Sequence, residues 1–269
     1  MNIVPNRIKP PKPTQDLEKA ERDLDEFGIC LIDRALGTEQ LTRLRNRLYA
    51  AADDDVRLKR PSSSSGGDHD SNNQRIWGLL NRGQEFVDLV EDPRSIELLK
   101  YLLEWPFLLS SISANIAGPG HDGMVIHADQ LFVPEPWPAR PQGANCFWLV
   151  DDFTADNGAT HVAVGSHRLN RMPKDDAEAE SYFVPLEASA GTMCVMEGRI
   201  WHRTGCNVTA NERRAGIFAW NVRKIYRTQE NWFLSLNPLV RQGASEDLLW
   251  MLGYRLDTFF GHVNGYDPI

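Results

Sequence analysis

Cysteine is scarce in this 269-residue chain, long apolar runs are missing, and positive charge is in the minority. Each shortage removes a class of protein. The four cysteines, Cys30, Cys146, Cys194 and Cys206, stand far apart without paired metal-type spacing, so they are expected to stay reduced, three of them as buried thiols inside apolar runs. No stretch has the length of a membrane span. The opening residues Met-Asn-Ile-Val-Pro-Asn-Arg lack a signal-peptide core, and the closing Tyr-Asp-Pro-Ile is not a peroxisomal address, which sets the expectation of a cytoplasmic protein. With 29 Lys and Arg against 37 Asp and Glu the net charge is −8, which excludes the basic footprint of a nucleic-acid binder. What remains is ordinary for one domain with a substantial core: 42% hydrophobic and 25% charged residues. The expected partner is a small-molecule substrate, with a homodimer allowed and neither nucleic acid nor membrane.

The chemistry concentrates in residues 124–130, Met-Val-Ile-His-Ala-Asp-Gln. Read as a β-strand, this run points His127 and Asp129 to the same face, where an imidazole and a carboxylate can converge on one metal ion. Two histidines and one carboxylate leave open coordination positions, the ligand set of non-haem Fe(II) oxygenases. A His-x-Asp pair is common by chance, so a second histidine is needed. The apolar run 191–202 delivers His202, and Arg213 follows eleven positions later at the head of another apolar run, 215–220. A hairpin of these two runs would set the guanidinium near the metal, suited to the distal carboxylate of a chelating diacid. His69, flanked by Asp68 and Asp70, reads as a solvated loop side chain.

Together with Gly28, the segment 151–160 (Asp-Asp-Phe-Thr-Ala-Asp-Asn-Gly-Ala-Thr), the segment 164–167 (Val-Gly-Ser-His) and the segment 201–207 (Trp-His-Arg-Thr-Gly-Cys-Asn), these residues resemble the phytanoyl-CoA dioxygenase family of Fe(II)/2-oxoglutarate oxygenases. The motifs occur in the family's order over residues 20–235, with Val164 where the family has proline. The resemblance implies that His127, Asp129 and His202 bind Fe(II) and that Arg213 anchors 2-oxoglutarate, chosen over Arg214 by its match to the family. Thr160 and Thr204 are implied as hydroxyl support for the co-substrate, with Gln130 and Trp148 as further candidates. O₂ would be consumed with decarboxylation to succinate. Because related halogenases replace the carboxylate by a small residue, Asp129 implies oxygenation instead. His167 would be structural, and His161 alternates away from Thr160.

Alternating strands, glycine turns and the absence of a βαβ rhythm across 107–220 predict a mainly β, double-sheet jelly roll with flanking helices, and the resemblance implies the same fold, a cupin-like double-stranded β-helix. The expected layout is an extended arm over 1–13, helical and strand support over 14–105, the jelly-roll core over 106–236 and a C-terminal helix and tail over 237–269. Helices are expected from a Thr14 cap to Leu24, over 39–49, over 86–103 and over 245–252; strands over 27–32, 75–80, 107–116, 145–150 and 158–164. Asn115 reads equally as a strand-end polar residue or as one reaching into the barrel. Loops 61–73 and 131–142 would cover the mouth. Phe132, Trp137 and Trp232 are the candidate substrate wall, and with no basic cluster on those loops they suggest a free, apolar substrate, lipid-like or polycyclic, hydroxylated or desaturated. Acyl-CoA or amino-acid-derivative hydroxylation is the alternative within the family, and a metal-binding jelly roll without oxygenase activity, or a cupin enzyme that needs no 2-oxoglutarate, lies outside it.

Overall fold

Helix α1 (Leu17–Phe27) begins where Asp16, not Thr14, caps it by accepting from Lys19 N. It ends at Gly28, whose φ of 74° lets the chain reverse into the buried strand β1 (Ile29–Ile32). The computed structural model describes residues 7–60 and 72–266, so most of the predicted 61–73 lid and the start of the predicted arm lie outside the described residues. Helix α2 (Thr38–Arg57) outruns the predicted 39–49 because the alanines at 50–52 carry helical propensity beyond the apolar stripe, with Ala51 and Ala52 buried. After β2 (Asn73–Ile76), the predicted 86–103 helix is two, α3 (Gln84–Val90) and α4 (Pro93–Leu103). Pro93 cannot continue a helix from before it but suits a first turn, and Asp92 caps that turn through Arg94 N.

The strands β3 (Phe107–Ala117), β4 (Gly143–Leu149), β5 (Thr160–Val162), helix α5 (Asp176–Tyr182), and strands β6 (Val184–Pro185), β7 (Met193–Glu197), β8 (His202–Thr204) and β9 (Arg214–Arg223) complete the barrel. Three short helices follow: α6 (Trp232–Ser235), α7 (Pro238–Gly243) and α8 (Glu246–Met251), the last capped by Ser245. Two antiparallel sheets result, one ordered β1-β7-β4-β9-β3-β2 and one ordered β6-β5-β8. This is the predicted jelly roll with flanking helices. The expected hairpin of 191–202 with 215–220 does not form: β4 lies between β7 and β9 and pairs with both.

Alternation divides the large sheet cleanly. Ile112, Ala114 and Ile116 of β3, Cys146 and Trp148 of β4, and Ala215, Ile217 and Ala219 of β9 belong to the core shared with the helices. The opposite faces of the same strands, with Phe147, Leu149 and Met196, pack toward the small sheet. The catalytic candidates lie on that second side.

Candidate metal centre

The stretch 124–130 is not the predicted strand. His127 makes an isolated antiparallel bridge to His202, with His127 N donating to His202 O at 3.0 Å and His202 N donating to His127 O at 2.8 Å. Asp129 then lies in a turn. The physical cause is upstream and downstream: Gly123 at φ 95° sits against Thr204 O, and Gln130 N donates to Gly198 O at 2.8 Å, so the segment is pinned at both ends rather than laddered. The two ligands therefore converge through a bridge and a turn, not through strand alternation.

The bridge holds the imidazole centres 4.2 Å apart, with the ring planes inclined by 54°. Nδ1 of His127 lies 2.9 Å from Val125 O and Nδ1 of His202 lies 3.0 Å from Ile200 O. A carbonyl can only accept, so each Nδ1 carries the proton and each Nε2 offers a lone pair. These Nε2 atoms stand 3.9 and 3.8 Å from Asp129 Oδ1. Donors each about 2.1 Å from one ion lie about 3 to 4 Å from one another, so the trio fits a single transition metal. Burial, reinforced by the neighbouring His127, pushes the His202 imidazole down to about 4, which keeps it neutral and available as a ligand.

A cavity of about 210 Å³ opens beside the trio, between the two sheets. Thr160 and Thr204 line it from the small sheet, and Asn115 lines it from β3. Ser111 and Ser113 share the Asn115 face, and Phe147, Phe218 and Trp220 form an aromatic wall on β4 and β9. The Trp220 ring rests on glycine: a Cβ at Gly143 or Gly198 would stand 2.4 or 2.8 Å from it.

Several expected residues lie elsewhere. Arg213 precedes β9, exposed on the outside, with its guanidinium 4.9 Å from the Tyr49 ring centre and 3.4 Å from Gln74 Oε1. The arginine that turns inward is Arg214, on the face of Gly216, Phe218 and Trp220. The helices decide the register: Ala215, Ile217 and Ala219 face them, which sends Arg214 into the barrel and leaves Arg213 outside it. Arg214 is fully buried, stacks 4.5 Å above Phe153 and donates to Gly158 O, while its Nε and Nη1 have no partner among the described residues. Burial lowers it to about 10. Half-buried Arg75, which lines the cavity, is near enough for its charge to act on Arg214.

Trp148 faces the helical core with Ala144 and Cys146, because the alternate positions Asn145, Phe147 and Leu149 turn inward. Gln130 is buried outside the cavity lining and accepts from Gln142 N at 2.7 Å, so it braces the Asp129 turn. Trp137 is buried with Ala128, Phe183 and Trp201, its Nε1 donating to Val133 O. Trp232 is buried in the helical core and donates to Leu109 O. Phe132 is 45% exposed and meets Trp220 edge-on at 6.4 Å, so of the three aromatics it alone touches a cavity wall. His167 packs against Gly28, where a Cβ would come within 2.5 Å of its Nδ1, and His161 lies beside Phe183 and Arg203.

The model of the phytanoyl-CoA dioxygenase (PhyH) family matches residues 24–215. The chain belongs to that family. Dioxygenase af480 of Aspergillus fumigatus is 32% identical over 247 residues, covering 89% of this chain and 77% of the relative. The multifunctional dioxygenase prhA of Penicillium brasilianum is 28% identical, covering 94% and 88%. Among solved structures, EctD from S. alaskensis with 2-oxoglutarate and 5-hydroxyectoine superposes with a TM-score of 0.66 at 18% identity, covering 86% of this chain and 90% of that one. The α-ketoglutarate-dependent epimerase SnoN from nogalamycin biosynthesis superposes at 0.63, also at 18% identity, covering 81% and 88%. These structural likenesses establish the double-stranded β-helix. This PhyH-family dioxygenase carries, among its described residues, a single cluster able to hold a metal, His127, Asp129 and His202.

Proposed function

We propose that this enzyme uses Fe(II), 2-oxoglutarate and O₂ to hydroxylate or desaturate a small secondary metabolite, releasing succinate and CO₂. The observation that carries the reading is the pairing of an open three-ligand metal site with the buried, under-partnered guanidinium of Arg214. A buried cation without a counter-ion is costly, and a dicarboxylate that chelates the metal with one end would satisfy it with the other. Arg214 therefore takes the role expected of Arg213, with Arg75 adding positive charge and Thr160 and Thr204 adding hydroxyls nearby.

Iron loaded with 2-oxoglutarate would supply the oxidant that removes hydrogen from substrate carbon. The protein's own contribution is positional. Its carbonyls at Val125 and Ile200 fix both imidazoles, Gln130 fixes the turn of Asp129, and the wall of Phe147, Phe218 and Trp220 keeps water from the reacting carbon. The same wall favours a substrate with an apolar body. The lining is nevertheless more polar than Trp137 and Trp232 suggested, since Ser111, Ser113 and Asn115 face the substrate space, so the substrate carries polar groups as well. The absence of a described basic cluster at the Phe132 loop favours a free metabolite over a CoA thioester.

The test is incubation of the Fe(II)-loaded enzyme with 2-oxoglutarate and a metabolite extract, with succinate followed beside the mass of each metabolite. Gain of one oxygen or loss of two hydrogens in a free metabolite is expected. Stimulation by acyl-CoA thioesters alone would sink the substrate class, and no succinate under any condition would sink the reaction.

A further inference from the structure

Asn145 lies on the cavity face of β4, 8% exposed, opposite Met196 of β7 and Trp220 of β9. Its Nδ2 donates to Asp129 Oδ2 at 3.0 Å, while Asp129 Oδ1 is the oxygen turned to the two imidazoles. That contact fixes the amide's orientation, because turning it over would set a carbonyl against a carboxylate, acceptor against acceptor. The carbonyl Oδ1 is thus committed, and it is buried with no partner among the described residues. Its neighbours on the wall, Phe147 and Met196, offer no donor to it. Buried acceptors in folded proteins nearly always find a donor, so an orphan in a cavity wall marks where a ligand supplies one.

The chemistry of that donor is narrowed by the lining. Asp129 is the lining carboxylate and is engaged by Asn145 and the metal site, so an ammonium there would have no counter-ion of its own. A neutral hydroxyl meets the carbonyl without that cost. We propose that Asn145 is a positioning residue with two ends, one steadying Asp129 and the other receiving a substrate hydroxyl, so that the substrates of this enzyme are alcohols oxidised at a carbon close to that hydroxyl. The proposal rests on the Fe(II)/2-oxoglutarate reading above and deepens its substrate class.

The test uses the full chain loaded with Co(II) and 2-oxoglutarate, with menthol, its methyl ether and p-menthane as matched probes. Binding is read from the cobalt absorption and the thermal midpoint. Menthol should bind about tenfold or more tighter than the other two, Asn145→Leu should bring all three together, and Asn145→Gln, which keeps an amide donor and an amide acceptor, should restore part of the preference. In a separate titration with Co(II) alone, Asn145→Leu should lose about tenfold in affinity, the usual scale for a partner of a metal ligand. Equal binding of the three probes, no binding of menthol up to its solubility, or a preference that survives Asn145→Leu overturns the hydroxyl role. Unchanged Co(II) affinity overturns the carboxylate role. Failure of the wild type to take up 2-oxoglutarate would instead refute the underlying reading, and the Co(II)-only titration would still report on Asn145.

Discussion

The two faces of the large sheet come from the same strands and obey different rules. On the helix side, Ile112, Ala114, Ile116, Cys146, Trp148, Ala215, Ile217 and Ala219 are all apolar and buried. On the cavity side, the alternating positions hold Ser111, Ser113, Asn115, Asn145 and Arg214 among aromatics. The first face satisfies burial alone, at about 25 cal/mol for each Å² of apolar surface removed from water. The second keeps buried polar atoms unpaired, which weakens the fold and marks the side where ligands complete it. One side of each strand is therefore responsible for stability and the other for function.

The largest effect that would test this division is at the metal. His127→Ala, Asp129→Ala and His202→Ala should each abolish succinate formation while circular dichroism stays that of the wild type, since the ligands contribute little to the core. Retained turnover in any one of them removes that residue from the trio. Next comes Arg214→Met, expected to raise the 2-oxoglutarate requirement by about 100-fold or more, several kcal/mol of lost charge pairing. Arg213→Ala should leave that requirement within about twofold, and the reverse ranking, in kinetics at varied 2-oxoglutarate, would return the anchoring role to Arg213.

The helix side should answer in the opposite currency. Ile217→Ala, at a fully buried position, should cost about 3 kcal/mol in a denaturant titration and leave the 2-oxoglutarate requirement unchanged. A large change in that requirement with little loss of stability would show that the two faces are not separable. The smallest effect concerns His167, away from both faces, whose imidazole burial holds below its ordinary value of 6.5. Because the unfolded chain takes up the proton first, stability from His167 is present above pH 6.5 and is lost as pH falls toward the folded value. The metal-free protein should thus melt at lower temperature as pH drops below about 6.5, and His167→Gln should flatten that slope; an identical slope would assign the acid sensitivity elsewhere.

The fold was legible because burial writes it directly into sequence. The Ser-Ile-Ser-Ala-Asn-Ile alternation of β3, the apolar run of β4 and the Ser245 cap of α8 are each local signals with a local cause. The metal ligands were legible as residue types, yet the strand invoked to join His127 with Asp129 does not exist, since the shape of that segment is imposed by backbone hydrogen bonds to β8 and to Gly198. Arg213 and Arg214 could not be told apart in sequence because β9 is apolar on both faces, and only the position of the helices chooses between them. Trp137 misled for a related reason: a proline-rich loop can fold back on itself and bury its tryptophan in a small core of its own. Asn145 gave no signal, being one polar residue in an apolar strand, where a structural hydrogen bond is the ordinary expectation.

The glycines under Trp220 carry a consequence for how this cavity could change during evolution. Its breadth at the aromatic wall is set by two missing side chains, at Gly143 and Gly198, neither of which lines the cavity. A single methyl at Gly198 would stand 2.7 Å from the Gly143 carbonyl oxygen and 2.8 Å from the Trp220 ring, so the indole must shift along with that backbone, reshaping the chamber without altering any residue that lines it. A crystal structure of Gly198→Ala with the ring unmoved would contradict this. If the ring does shift, substrate range in this enzyme can be tuned from beneath the wall, by positions that a comparison of lining residues alone would pass over.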